Sequence, residues 1–125
     1  MKMNHIKALM VAGVVFAIME SAWLLATSQQ FYAKRFPFDL KIQSTLAVLL
    51  VYPLMLFAAW VFLLRPMHGF IKGALFGTVI YGTYNLTNKA TIPKYPWDLV
   101  VVDTAWGATL FAVSAEVYKR CSLAS

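Results

Sequence analysis

Residues 81–107, YGTYNLTNKATIPKYPWDLVVVDTAWG, set amides and a carboxylate at the edges of two apolar runs joined by a short, proline-bearing connection. In the first run Gly69, Gly73 and Gly77 recur at every fourth residue, and Tyr81, Asn85 and Asn88 follow at helical spacing. In the second run Asp103 shares a helical face with Trp106, Gly107, Leu110 and Ser114, while Ala108, Ala112 and Ala115 form a smooth stripe beside it. Small residues at such spacing let a neighbouring helix approach closely. A connection this short makes consecutive helices antiparallel. The stretch therefore predicts a helical pair that is smooth toward one end and polar toward the other.

The rest of the chain extends the same pattern. With 61% hydrophobic and 13% charged residues in 125 positions, and a mean hydropathy of +0.67, the composition excludes an ordinary soluble domain. Four runs, at residues 8–26, 45–64, 70–86 and 99–118, have about the length needed to cross a hydrocarbon core of about 30 Å as helices. We therefore expect an all-α membrane protein: one domain over residues 1–125, four transmembrane helices in an up-down bundle, and a short interfacial segment between helices 1 and 2. That segment interleaves Phe31, Tyr32, Phe36 and Phe38 with Lys34, Arg35 and Lys41, the pattern of a membrane interface. The first run is longer than a signal-peptide core, and a cut after Ala22 would put Glu20 where a small residue belongs, so it reads as a retained span. Pro53 should kink the second span and free the carbonyl of Leu49, a packing feature more than a hinge.

The net charge of +6 does not point to nucleic acid, because the Lys and Arg residues flank the apolar runs and suit anionic headgroups of the lipid bilayer instead. Lys2, Lys7, Arg65, Lys72, Lys119 and Arg120 fall on one side, and Lys34, Arg35, Lys41, Lys89 and Lys94 on the other. The count, 6 against 5, is nearly unbiased and suits a dual-topology dimer, with a lean toward both termini in the cytoplasm. Cys121 is alone, so no intrachain disulfide forms. His5 and His68 have no nearby ligand partners in sequence, and neither a metal nor a cofactor is predicted. Asn85 with Thr87 matches a glycosylation acceptor, discounted at the end of a span.

Alternating direction brings the end of span one, the start of span two, the end of span three and the start of span four to one side. Glu20, Asn85, Asn88 and Asp103 all lie toward that side, joined there by Gln43, Ser44 and Thr45. Gly13, Ala17, Trp23 and Thr27 share the stripe of Glu20, which should face the bundle. The candidate ligand or proton site is Glu20, Asp103, Asn85, Asn88, Tyr84, Trp23 and Trp106; the candidate helix-packing residues are Gly73, Gly77, Gly107, Ala108 and Ala112. Intramembrane ionisable groups are costly and mark function by default, although hydrogen bonds of roughly 0.6–2 kcal/mol between helices are the structural alternative. Two deep carboxylates without a deep Lys or Arg make a shared or captured proton the functional expectation.

Glu20, Trp23, Phe31 and Tyr32, together with Tyr84, Asn85, Leu86, Thr87, Asn88, Thr91, Asp103, Ala105, Trp106 and Gly107, resemble the small membrane proteins catalogued as domain of unknown function 2177. The resemblance covers nearly the whole chain and implies four membrane helices; it implies no settled activity. Glu20 and Asn85 stand where the resemblance leads one to expect Asp.

Three kinds of function fit these residues. The first is a one-sided site for a small polar or cationic molecule or a lipid headgroup, linked to protons and walled by Trp23 and Trp106. The second is proton-coupled transport by a homodimer, on a plan similar to the small multidrug-resistance transporters. The third is an accessory subunit of a larger membrane complex, docked through its Gly and Ala stripes. An enzyme is the least supported reading, since no Ser-His pair or phosphate-cradling loop is present and two carboxylates would have to act alone.

Overall fold

The computed structural model describes residues 3–35 and 44–124. Phe36, Phe38, Lys41 and Gln43 of the expected interfacial and polar sets, and Lys2, lie outside the described residues. The described residues form four main helices: α1 (Met3–Thr27), α2 (Thr45–Ala59), α3 (Phe70–Thr91) and α4 (Trp97–Ala124). Helix α1 does not stop at residue 26 but runs on through a π-helical turn, Ser28–Tyr32, into a last α turn, Ala33–Arg35. The described part of the expected interfacial segment is thus a continuation of the first span.

Helix α2 starts where the Ser44 hydroxyl accepts from the amide of Ala47 at 3.2 Å. It runs through Pro53 and widens into a second π turn, Trp60–Leu64. Its end is a Schellman arrangement: the His68 amide donates to the Leu63 carbonyl at 3.1 Å and that of Met67 to the Leu64 carbonyl at 2.8 Å, with Met67 at φ 65°. The chain then reverses into α3, whose first amide, Phe70, donates to Glu116 Oε1 at 3.0 Å. The reversal into α4 is a β-turn with Pro93 at its second position and Lys94 at φ 63° at its third, closed by the Tyr95 amide on the Ile92 carbonyl at 3.3 Å.

Among the described residues three segments are long and apolar enough to cross a membrane, His5–Arg35, Thr45–Leu64 and Trp97–Ala124. Helix α3 has the length, at 22 residues, but its amides, threonines, Lys72 and Lys89 lower its hydropathy. It is held instead by its close fit to α4. Gly73 and Gly77 are buried in this contact: a Cβ at Gly77 would overlap the Gly107 carbonyl, and one at Gly73 would lie 2.5 Å from the Phe111 carbonyl oxygen. Ala108 and Ala112 supply the facing surface, as the small-residue spacing predicts.

Phe111 of α4 is the centre of the core, with Phe16 and Phe76 edge-on at 5.5 and 5.1 Å. The face that α1 packs against the core is Ala8, Ala12, Phe16 and Glu20, whereas Ala17 is exposed and Gly13, also exposed, touches no helix and borders an open cavity beside α2. This corrects the expected Gly13–Ala17 contact: α4 already contributes the small residues here, so the matching surface on α1 is the bulky Phe16. Helix α2 is attached differently. Its π turn buries Leu63 and Leu64, while Leu46, Leu50, Leu54 and Phe57 are exposed, a surface suited to lipid.

Candidate functional site

Asp103 stands in the second turn of α4, and two short hydrogen bonds hold its carboxylate. The Tyr32 hydroxyl donates to Oδ1 and the Asn85 amide to Oδ2, each at 2.6 Å. Both donors are themselves fixed. Trp23 Nε1 donates to the Tyr32 oxygen at 2.9 Å, and the Tyr95 hydroxyl donates to Asn85 Oδ1 at 3.0 Å. Asn85 also donates to the Tyr81 carbonyl at 2.8 Å, and it is fully buried.

Glu20 is buried nearby with looser partners, accepting from the Tyr81 hydroxyl and from Trp106 Nε1, both at 3.3 Å. The indoles of Trp23 and Trp106 stack at 4.5 Å and 6°, joining the two halves of the network. The Tyr52 hydroxyl of α2 also faces the Glu20 carboxylate. Every partner named is an uncharged phenol, indole or amide. The one described basic group at this end with a carboxylate partner, Arg35, pairs instead with Asp98 at the surface, at 2.7 Å.

Helix geometry explains which residues meet. Asn85 lies on the same α3 face as Gly73, Gly77 and Tyr81, so the smooth contact with α4 leads directly to the amide. Tyr32 is less obvious. Nine residues of ideal α-helix separate it from Trp23 and would turn it to the opposite side, about 900° on at roughly 100° per residue. The wider π turn advances less per residue and brings its hydroxyl back toward Trp23.

Of the seven residues expected at the site, Glu20, Asp103, Asn85, Trp23 and Trp106 share this network. Asn88 is half-buried beside the Tyr95 hydroxyl. Tyr84 is apart from the carboxylates, 58% exposed, in a cleft of about 280 Å³ between α2 and α3 that Tyr52 and Tyr81 also line. Ser44 caps α2, and Thr45 is exposed.

The phenols were the part that residue patterns left out. Tyr95 reads as a headgroup-depth residue but is buried, because the left-handed Lys94 turns the chain inward. Burial raises its pKa above the ordinary value, so it remains a hydrogen donor into alkaline solution. Its carbonyl accepts from Lys89 Nζ at 2.6 Å, and the same ammonium lies 5.1 Å from the centre of the Trp97 ring. Among the described residues no three His, Cys, Asp or Glu side chains gather as a metal site.

Apolar helices, an antiparallel pair locked by glycines, and two carboxylates enclosed by aromatic donors define a small helical membrane protein. Residues 5–118 match the family described as predicted membrane protein (DUF2177), and the chain belongs to it. No curated protein and no solved structure matches the chain.

Proposed function

We propose that the cluster around Glu20 and Asp103 binds a small organic cation and exchanges it for protons. The observation that carries this reading is the composition of the network: two carboxylates of α1 and α4, with only uncharged donors around them. Negative charge so placed attracts either a proton or a cation.

The two acids divide the work. Asp103 is held by short bonds and serves as the fixed pole, whereas the 3.3 Å bonds of Glu20 are the easier ones to trade for a ligand. The cleft lined by Tyr52, Tyr81 and Tyr84 is the route in, because aromatic faces attract cations and Tyr81 reaches Glu20 from its wall. A cationic lipid headgroup could use the same route from the bilayer. We place both termini on the cytoplasmic side.

Calorimetry on the purified chain with benzyltrimethylammonium, in two buffers of different ionisation enthalpy between pH 5 and 9, tests the proposal. Binding with proton release is expected, weakened at least tenfold in Glu20→Gln and in Asp103→Asn. If the probe does not bind, and both variants take up and release protons as the wild type does, the cluster serves only to join helices and the reading fails.

The loose attachment of α2, one wall of the cleft, favours a transport version of the same reading. Proton-driven uptake of the probe into liposomes by a homodimer would support it. Co-purification with another membrane protein at fixed stoichiometry would support an accessory role instead.

A further inference from the structure

The end of the bundle opposite the carboxylates holds a second feature that the proposal above does not use. Between α1, α2 and α4 lies an apolar cavity of about 420 Å³, lined among others by Leu9, Ala12, Phe16, Pro53 and Leu63. One hydroxyl-bearing residue lines it. Ser114 is only 6% exposed, and its hydroxyl has no hydrogen-bond partner. A buried hydroxyl left unpaired in an apolar wall is costly.

Beside this cavity is a polar recess of about 400 Å³ lined by His5, Trp60, Arg65 and Tyr118. Trp60 lines both spaces. Arg65 follows the end of the second span, where a side chain meets headgroups, and it has no carboxylate partner among the described residues. Glu116, on the same end of α4, is already engaged by Arg120 at 2.6 Å and by the Phe70 amide.

From this arrangement we infer a binding site for one anionic phospholipid, with its phosphate in the His5–Arg65–Tyr118 recess and an acyl chain in the cavity. The guanidinium offers paired donors to phosphate oxygens. Ser114 lies one helical turn, about 6 Å, inward of Tyr118 on α4, the depth of a glycerol ester beneath its phosphate; its oxygen is enclosed as the side chain stands and meets a lipid ester carbonyl when the side chain turns toward the cavity. A zwitterionic lipid fills the cavity equally well but carries a choline that the basic recess disfavours. The charge of the recess therefore selects the occupant.

Native mass spectrometry of the full chain released from detergent tests the inference, with dioleoyl phosphatidylglycerol and dioleoyl phosphatidylcholine as probes. One phosphatidylglycerol per chain is expected, retained about tenfold over phosphatidylcholine, a difference of about 1.4 kcal/mol. Arg65→Gln should abolish the preference. Gly13→Leu fills the cavity, and since a Cβ at Gly13 meets nothing within 4 Å the fold accommodates it; retention of phosphatidylglycerol should fall about tenfold. Glycerol 3-phosphate should not displace the lipid. Equal retention of the two lipids would identify ordinary boundary lipid and overturn the inference, as would a preference surviving in Arg65→Gln. Displacement by glycerol 3-phosphate, or full retention in a folded Gly13→Leu, would remove the acyl chain from the site. Glu20→Gln should leave phosphatidylglycerol retention unchanged, which separates this site from the carboxylate cluster.

Discussion

Asn85 has a partner for each part of its amide: the nitrogen donates to Asp103 and to the Tyr81 carbonyl, and the oxygen accepts from Tyr95. Rotating the amide by half a turn would set its oxygen against a carboxylate and a carbonyl, so the network admits one orientation. Asn85→Leu keeps the number and branching of the heavy atoms while removing the donor to Asp103 Oδ2 and the acceptor that the Tyr95 hydroxyl uses. We expect it to lower stability by about 2–3 kcal/mol in detergent unfolding measurements, whereas Asn88→Ala, at a half-buried position, should change it by less than about 1 kcal/mol. A loss no larger at Asn85 than at Asn88 would show that Asn85 is not the node of this network.

Between elements, the decisive contact is that of α3 with α4, and two glycines of the same helix separate its causes. Gly77→Ala drives a methyl into the Gly107 carbonyl and should lower stability by about 2 kcal/mol. Gly82→Ala meets only the Thr104 methyl at an ordinary 3.7 Å and should be neutral or gain up to about 1 kcal/mol from helix propensity. Thermal unfolding of the two variants compares them directly, and similar losses would mean that backbone approach does not hold the pair. This contact was legible in the sequence, because spacing by four is a property of an ideal helix. So was the meeting of Glu20, Asn85 and Asp103, which needs only antiparallel helices. The reach of Tyr32 was not legible: a π turn shifts the phase of everything beyond it, and nothing in SQQFY announces one by period. Nor was the inward turn of Tyr95, which depends on a left-handed Lys94 where glycine is the usual occupant. Regular geometry was readable, and its local departures, which deliver the phenols, were not.

At the scale of the whole molecule the bundle is uneven: α1, α3 and α4 share a core around Phe111, while α2 is joined chiefly through its π turn. Spin labels on a Cys121→Ser background at Leu86 and Leu123, the far ends of the α3–α4 pair, should give a narrow distance distribution. Labels at Leu54 and Leu123 should give a broad one, and equally narrow distributions would show α2 to be held as firmly as the rest. The rigid part has its own consequence at Tyr81. Its ring lies flat against Gly107, where a Cβ would overlap it, and its hydroxyl ends at Glu20. The gap between two helix axes and the reach of one phenol are therefore a single dimension of the protein. Any change that spreads α3 from α4, even a methyl group added two turns away, draws a proton donor off the acid, so this chain cannot vary how tightly it is assembled without also retuning what its carboxylates will accept.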